Sequence, residues 1–183
     1  MSQFEEKQIE RKEIYDGAVL HVVKDKVLLP NGEESIREFC LHKGAVAVIP
    51  IDNNDEVIMV RQFRYAHHRE FLEIPAGKLD FIGEDPLDAA KRELSEETGA
   101  VAERITPLGI LDTTPALIDE IIHLYMAEGL SFGNMHPDED EFLEVVRYPL
   151  KDLVNMVMHG EIRDGKTQIA ILKAAIIKKS DLN

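Results

Sequence analysis

The stretch from residue 77 to residue 100, GKLDFIGEDPLDAAKRELSEETGA, constrains the fold most, because its second half predicts a helix with both ends marked. Asp85 suits the N-cap, and Pro86 fills a first-turn position where a missing N–H costs nothing. Gly99 suits the left-handed residue that closes a helix. Apolar residues spaced three and four apart predict the buried face, namely Leu87, Ala90 and Leu94. We therefore expect one face of this helix to pack on a core.

Three glutamates crowd this helix beside its apolar face. At about 100° per residue, Glu93 and Glu97 project within about 40° of each other, and Glu96 lies about 60° to the other side of Glu93. Like charges at this spacing cost a helix ~0.2–0.5 kcal/mol per pair, and Arg92 offsets only part of that cost. A divalent cation would convert the repulsion into ligation, and Mg2+ takes oxygen ligands alongside substrate phosphates. An arbitrary cluster of this kind is more often a solvated helix face.

The complete spacing is E-x7-R-E-L-x-E-E-x-G, from Glu84 to Gly99, preceded by Gly77. It resembles the Nudix box, the signature of hydrolases that cleave nucleoside diphosphates linked to another moiety. Six residues separate Gly77 from Glu84, where the family has five. We place the extra residue in the loop around Phe81 and Ile82, which leaves the helix intact but can alter the placement of Gly77 and Glu84.

The charge of the chain argues against some classes of function. Its 21 basic and 35 acidic residues give a net charge of −14, unlike a surface that follows nucleic-acid phosphates. No stretch approaches the ~20 apolar residues of a membrane span, and the N-terminus has no apolar run of the signal-peptide kind. The single cysteine, Cys40, excludes an internal disulfide and suits a reducing compartment. These features predict a cytoplasmic protein that binds neither nucleic acid nor membrane.

Residues 1–42 predict a small antiparallel sheet ahead of the main domain, which we place at residues 43–183. Strand-like alternation runs from residue 9 to residue 29 with a turn at Asp16-Gly17, and another strand follows at 35–41. The residues alone predict only this extra sheet. In the ADP-ribose pyrophosphatase branch of the Nudix family such a segment is exchanged with a partner subunit, so the resemblance implies a homodimer.

The rest of the main domain mixes strands and helices. The other predicted strands are residues 45–51, 57–63, 105–111, 121–127 and 142–148. The first two flank Asp52–Asp55 and predict a hairpin. Two amphipathic helices end the chain, and Gly160 closes the first of them. This order indicates an α/β fold, and the resemblance implies a Nudix-type α/β/α sandwich with a mixed sheet and an N-terminal antiparallel β extension.

Four residues before the helix are candidates for the site. Arg61 and Arg64 alternate to opposite faces of their strand, and arginine binds phosphate through a planar fork of donors. Arg61 stays open between a substrate contact and a surface ion pair, whereas the family places a phosphate-contacting arginine at the position of Arg64. The run Phe71–Gly77, FLEIPAG, resembles the entry to the box in ADP-ribose pyrophosphatases, which implies that the Ala76 carbonyl faces the metal. Glu73 stays open between a substrate-side acceptor and an ordinary strand residue.

Two segments after the helix bear on substrate and catalysis. The family's ADP-ribose hydrolases have a proline about fifteen residues past the box, and Pro115 stands fifteen residues after Ala100. Residues 133–141, GNMHPDEDE, form an acidic loop that on charge alone would be a solvated surface run. The resemblance implies that a glutamate just before the next strand acts as the catalytic base or as a further metal ligand. Glu141 is the match, and Glu139 is the alternative.

Residues 160–167, GEIRDGKT, fit the G-x4-G-K-T pattern of a phosphate-binding loop. That loop needs a buried strand before it and a sheet after it. Here a predicted helix precedes it and only residues 168–183 follow. We therefore interpret the match as coincidence.

The resemblance implies Mg2+-dependent hydrolysis of ADP-ribose to AMP and ribose 5-phosphate, with Mn2+ as an alternative ion. The implied roles are metal binding for Ala76, Glu93, Glu96 and Glu97, catalysis for Glu141, Glu97, Glu96 and Arg92, and substrate binding for Arg64, Arg61, Glu73 and Glu139. Within the same chemistry the substrate could be a nucleotide sugar or another diphosphate. From a different class, the chain could be a non-catalytic ADP-ribose-binding module.

Overall fold

A computed structural model describes residues 2–137 and 141–180 of the chain. Its contacts form two compact units. One unit contains residues 1–43 and 112–121, and the other contains residues 44–111 and 122–183.

The unit that begins the chain is a three-stranded antiparallel sheet in the order β1-β2-β3. Its strands are β1 (Lys7–Asp16), β2 (His21–Leu28) and β3 (Glu34–Leu41), which confirms the predicted N-terminal extension. The segment 112–121, which carries Pro115, joins this sheet through Cys40. The Cys40 N–H donates to the Leu117 carbonyl at 2.8 Å, and the Asp119 N–H donates to the Cys40 carbonyl at 3.2 Å.

The other unit combines two sheets with three α-helices. Its strands are β4 (Ala45–Pro50), β5 (Glu56–Arg64), β6 (Arg69–Glu73), β7 (Ala76–Lys78), β8 (Ala100–Asp112), β9 (Ile121–Phe132) and β10 (Leu143–Pro149). Its α-helices are α1 (Pro86–Thr98), α2 (Leu150–Met158) and α3 (Gly165–Ser180). One sheet has the order β7-β4-β9-β8 and is mixed, and the other has the order β10-β5-β6. No helix in the described ranges is both long and apolar enough to cross a membrane.

The prediction of a hairpin between β4 and β5 is wrong, because the two strands pair only next to the turn that joins them. The Asp52 N–H donates to the Glu56 carbonyl at 2.9 Å, and a single bridge joins Ile51 to Val57. After that bridge β4 pairs with β7 and β9, whereas β5 pairs with β6 and β10. The cause is the composition of β4, because all six of its residues are buried and such a strand fits the centre of a sheet better than one arm of a hairpin.

Strand β4 lies between two hydrophobic clusters. Ala47 and Ile49 face one cluster, which includes Leu153 of α2 and Ile171 of α3. The neighbouring residue Val48 faces the other cluster, which includes Ala90 and Leu94 of α1. Helices therefore cover both faces of the mixed sheet, as the predicted α/β/α arrangement requires.

Helix α1 begins and ends where the sequence predicts. The Asp85 side chain accepts hydrogen bonds from the backbone N–H groups of Leu87 and Asp88, and Pro86 occupies the first turn. Gly99 has φ 68°, in the left-handed region, and its N–H donates to the Ser95 carbonyl. The fixed ends determine which residues of α1 face β7, and this face carries the glutamates described next.

Candidate active site

Two of the three predicted metal-binding glutamates are buried where α1 packs against β7. Glu97 is 1% exposed and Glu93 is 8% exposed, whereas the Glu96 side chain is 38% exposed. The Ala76 N–H donates a hydrogen bond of 3.0 Å to Glu97 Oε2. The structure therefore brings Ala76 together with the glutamate ridge of α1.

Arg92 bridges the carboxylates of this ridge. Its Nη1 donates to Glu93 Oε1 at 2.7 Å and to Glu96 Oε2 at 3.2 Å. Its Nη2 donates to the Lys78 carbonyl at 3.3 Å and lies 3.5 Å from Glu84 Oε1. Its Nε is buried and makes no hydrogen bond among the described residues, but it lies 3.5 Å from Asp80 Oδ2 as an ion pair. This geometry fits the predicted role of Arg92 as the residue that orients the glutamates.

Burial makes the two inner carboxylates hard to ionise. Loss of hydration raises the pKa of Glu97 to about 8, against the opposing hydrogen bond from Ala76. The same cause raises the pKa of Glu93 to about 7, although Arg92 opposes it. Two buried carboxylates with pKa values this high indicate a position that is short of positive charge.

Gly77 makes room for one of these carboxylates. A Cβ at residue 77 would overlap the Glu93 carboxylate, which is the flexible end of its side chain. Because the backbone there is otherwise ordinary, the missing side chain serves the position of Glu93 rather than a turn.

Glu84 contacts Arg92 although an extra residue precedes it. The residues Phe81–Gly83 form an exposed turn, which the Glu84 N–H closes by donating to the Phe81 carbonyl at 3.2 Å. The Glu84 carboxylate accepts from the Asp80 N–H at 2.6 Å and lies within reach of Arg92. The loop therefore absorbs the insertion outside the site.

Glu141 lies near the buried pair. Burial is the main cause of the raised pKa of Glu93 and Glu97, and the negative charge of Glu141 adds to it in both. Glu141 is exposed to solvent. The alternative residue, Glu139, lies outside the described residues.

The loop that leads to Glu141 is fastened to the end of α1. The Gly133 N–H donates to the Gly99 carbonyl at 2.7 Å, and the His136 N–H donates to the Glu96 carbonyl at 3.0 Å. These bonds satisfy carbonyl groups that the last turn of a helix leaves unpaired. The helix that carries the glutamates thus also anchors the acidic loop.

Glu73 has two cationic partners within the chain. Its Oε1 and Oε2 accept from Arg64 Nε at 2.8 Å and from Arg64 Nη2 at 2.7 Å. Its Oε2 also accepts from Lys166 Nζ at 2.6 Å, and Lys166 lies 3.1 Å from Asp164. Glu73 is 2% exposed, while the Arg64 side chain is 42% exposed. Of this group, Arg64 is therefore the one that can meet a substrate most readily.

Lys166 is the residue that the sequence analysis missed. Lys166 lies in the first turn of α3, and α2 rather than a buried strand precedes this segment, so its interpretation as something other than a phosphate-binding loop stands. Burial raises the pKa of Glu97, and the charge of Lys166 is the smaller of the two causes that oppose this rise; its direct contact is with Glu73. The signal was present in the GKT pattern, but the contact with Glu73 spans 93 residues of chain and has no local signature.

Arg61 points to a different set of partners. Its Nε lies 3.8 Å from Glu144 Oε2 on the neighbouring strand β10, and its Nη2 donates to the Tyr148 hydroxyl at 3.3 Å. These contacts correspond to the ion-pair alternative that the sequence left open.

The oxygen donors of this site fit a divalent cation. In the described ranges, no group of three or more acidic, histidine or cysteine side chains is arranged to hold a metal ion as it stands. Arg92 occupies oxygens of both Glu93 and Glu96 with its hydrogen bonds. The space at Gly77 that admits the Glu93 carboxylate and the raised pKa values of the buried carboxylates indicate that a cation would complete the site.

Comparison with known proteins identifies the family. The family model of the NUDIX domain matches residues 41–168. The chain belongs to the Nudix family. Nudix hydrolases act on diphosphate anhydrides and generally need a divalent metal ion.

Several relatives are similar to this chain over most of its length. The chain is 43% identical to "ADP-ribose pyrophosphatase" of Bacillus subtilis (strain 168), over 93% of each chain. It is 45% identical to "Methanol dehydrogenase activator" of Bacillus methanolicus, over 92% of this chain and 91% of that protein. A crystal structure of an ADP compounds hydrolase shares the Nudix fold, with a TM-score of 0.86, 22% identity and coverage of 99% and 98% of the two chains.

Replacing Gly77 should impair the Nudix site while leaving the fold intact. In Gly77→Ala the new methyl group displaces the Glu93 carboxylate, which can move because it is the end of a side chain. We expect Mg2+ affinity and kcat/KM to fall by about 10–100-fold, the range seen when a ligand loses its positioning partner. Titration calorimetry and initial rates measure this effect, and the denaturant midpoint should stay within error of wild type. Gly165→Ala is the control, because nothing lies within 4 Å of a Cβ at that position. Unchanged Mg2+ affinity in Gly77→Ala would contradict the prediction.

Proposed function

We propose that this protein is a Mg2+-dependent hydrolase that splits the diphosphate of ADP-ribose to AMP and ribose 5-phosphate. The observation that carries the proposal is the pair of buried carboxylates, Glu93 and Glu97, which lie against the segment that contains Ala76. The 43% identity to a protein named ADP-ribose pyrophosphatase supports this substrate, and so does Pro115 in the segment after β8.

The metal would be held by Glu93 and Glu97, with Glu96 and the Ala76 carbonyl completing the protein ligands. When bound, the ion supplies positive charge beside the diphosphate and makes a water molecule more acidic. Arg92 keeps the glutamates in position, because it already bonds to two of them.

Two further residues would act on the substrate side of this site. Glu141 would take the proton of the attacking water, since a carboxylate at hydrogen-bond reach is a competent general base. Arg64 would bind a phosphate, because a planar guanidinium matches two phosphate oxygens. Hydrolysis of the diphosphate then breaks one P–O bond, adds the water oxygen to phosphorus and leaves two phosphate monoesters.

A substrate panel tests the proposal directly. Purified protein would be given ADP-ribose, ADP-glucose, NADH or diadenosine polyphosphates, each with Mg2+ and with Mn2+, and the products would be identified by chromatography and mass spectrometry. We expect ADP-ribose to give the highest kcat/KM and AMP plus ribose 5-phosphate as products. A clear preference for a nucleotide sugar would keep the chemistry but replace the substrate. Tight binding of ADP-ribose without turnover would favour the non-catalytic binding module.

The stability of the metal-free protein should depend on pH. The folded-state pKa values of Glu93 and Glu97 are raised above the ordinary 4.5, so the stability they contribute is present below about pH 4.5 and is lost as pH rises through about 7–8. Glu73, with its pKa lowered to about 2, stays charged throughout this window and contributes no slope. We expect the free energy of unfolding in EDTA to fall by on the order of 2–4 kcal/mol between about pH 5 and about pH 8.5.

Denaturant titrations at several pH values measure this slope. Mg2+ should remove most of it, because an ion that binds only the folded, ionised site restores stability at the higher pH. Glu97→Gln should reduce the slope in EDTA to the part that Glu93 contributes. Stability in EDTA that rises across this pH window would contradict the assigned pKa shifts.

We further propose that residues 1–42 form a dimerisation segment ahead of a Nudix domain at 43–183, and that the protein is a cytoplasmic homodimer. All ten residues of β1 are exposed, including the large apolar side chains of Ile9 and Ile14, which are 49% and 51% exposed. Apolar side chains on one exposed strand are a typical interface feature. The single free cysteine, Cys40, suits a reducing compartment.

Charges placed on β1 should therefore produce monomers. We expect wild-type protein to have the mass of two chains by light scattering, and Ile9→Glu/Ile14→Glu to have the mass of one. Ile176→Glu is the matched control, since Ile176 is 67% exposed on α3. A wild-type protein that is monomeric at micromolar concentration, or a double variant that stays dimeric, would reject this interface.

A further inference from the structure

The GKT segment that the sequence analysis set aside contacts the active site at two consecutive residues. Lys166 Nζ donates to Glu73 Oε2 at 2.6 Å, and Thr167 Oγ1 accepts from the Ile74 N–H at 3.0 Å. Thr167 is fully buried. The first turn of α3 is thus fastened to the end of β6, next to the segment that enters the Nudix box.

Asp164 holds this turn in shape. Its Oδ2 accepts from the Thr167 N–H at 3.0 Å, which is the bond of a helix N-cap, and lies 3.1 Å from Lys166 Nζ. The Lys166 side chain is 12% exposed, so its ammonium group is confined between Asp164 and Glu73. Two acceptors and close packing leave Lys166 little freedom to move.

Glu73 in turn fixes the orientation of the Arg64 side chain. Its two oxygens accept from Nε and Nη2 of the guanidinium at 2.8 and 2.7 Å, which fixes the plane of the group. These bonds use two of five N–H donors, and the Arg64 side chain is 42% exposed. The pKa of Glu73 is lowered to about 2 despite its burial, chiefly because Arg64 and Lys166 stabilise its charge.

We propose that Glu73 is a positioning residue that holds the Arg64 guanidinium ready for a substrate phosphate, and that Lys166 keeps Glu73 in place for this purpose. The inference rests on the proposed function, because it takes Arg64 as the phosphate-binding arginine. A free arginine loses much rotamer freedom when it binds, and a guanidinium that is already oriented avoids that loss.

A double-mutant cycle separates this role from a structural one. Arg64→Ala should lower kcat/KM for ADP-ribose by about 10–100-fold, mainly through KM, the range for losing a hydrogen bond to a charged group. Glu73→Gln alone should raise KM by about 5–50-fold with kcat changed much less. In the Arg64→Ala background, Glu73→Gln should add less than about threefold, because residues that act as one unit are not additive.

A second double-mutant cycle, with Lys166 in place of Glu73, tests the same positioning role. Lys166→Met should raise KM in wild type and add little in the Arg64→Ala background, while Lys166→Arg should keep most of the wild-type KM. The Lys166 cycle still tests the proposal if Glu73→Gln fails to fold. Denaturant midpoints for every variant record any loss of stability separately from KM.

Glu128 offers a matched control for Glu73. Its side chain is 14% exposed and accepts from Arg104 Nη2 at 2.7 Å and from Lys178 Nζ at 3.2 Å, so it is also a carboxylate between an arginine and a lysine. Lys178 lies twelve residues after Lys166 in α3, about 18 Å along the helix. Glu128→Gln should leave KM and kcat at wild-type values.

The outcomes distinguish the inference from the proposed function. If wild type hydrolyses ADP-ribose and the effects of Glu73→Gln or Lys166→Met multiply fully with that of Arg64→Ala, the positioning role is rejected while the function stands. If another diphosphate of the panel is the substrate, the same cycle is run with it and the same criterion applies. If no diphosphate is hydrolysed, both the function and the inference are rejected.

Discussion

Glu97→Gln should abolish nearly all hydrolysis of ADP-ribose while leaving the protein folded. Glutamine has almost the shape of glutamate, and its side-chain oxygen can still accept from the Ala76 N–H, which donates at 3.0 Å in wild type. What disappears is the ability of this side chain, which is 1% exposed, to carry the negative charge that a bound cation would require. We expect kcat to fall by about 10³-fold or more. A carboxylate that holds the ion is needed for the ion's electrostatic stabilisation of the transition state.

Stability and metal binding complete the test of Glu97. The free energy of unfolding in EDTA at about pH 8 should be equal to or higher than that of wild type, because ionising a buried carboxylate costs energy. Mg2+ affinity should fall with activity. Asp88→Asn is the control, as Asp88 lies on the same helix, is exposed and pairs only with Lys91 among the described residues. Near-normal kcat in Glu97→Gln would remove this residue from the mechanism.

Glu141→Gln should have the second-largest effect on activity. Unlike Glu97→Gln, it should lower the rate without weakening metal binding. Removing a general base lowers rates by about 10²–10⁴-fold. Because Glu141 is exposed and would act on water, we expect kcat to fall while Mg2+ affinity stays close to that of wild type. Initial rates and calorimetry on the same samples measure the two quantities.

Glu139→Gln decides between the two acidic candidates of this loop. If the base is Glu141, Glu139→Gln should keep kcat within about threefold of wild type, because a substitution away from the reacting groups usually has a small effect. A large loss in Glu139→Gln combined with a normal rate in Glu141→Gln would assign the base to Glu139 and contradict our assignment.

Local sequence signals were sufficient for the helix that carries the chemistry. The N-cap at Asp85 and the left-handed Gly99 are set by interactions within a few residues, so they could be predicted without knowledge of the fold. The same helix places Glu93 and Glu97 one turn apart. Whether they would be buried or solvated depended on β7, which packs against α1 from outside the helix.

Contacts between distant segments could not be predicted in this way. The sequence suggested a hairpin from β4 to β5, but β4 is apolar on both faces and therefore lies inside a mixed sheet. The sequence around Lys166 fits a pattern of another class of protein and does not predict its contact with Glu73. That partner is 93 residues away in the chain. Patterns in the sequence describe neighbours, and tertiary packing decides which distant charges meet.

The claim that a shared cation holds the buried glutamates can be tested most directly by a crystal structure with Mg2+ and a non-hydrolysable analogue of ADP-ribose. We predict an ion at about 2.1 Å from oxygens of Glu93 and Glu97, with phosphate oxygens in the same coordination shell. An analogue bound elsewhere, or glutamates that keep their present partners with no ion between them, would contradict the claim.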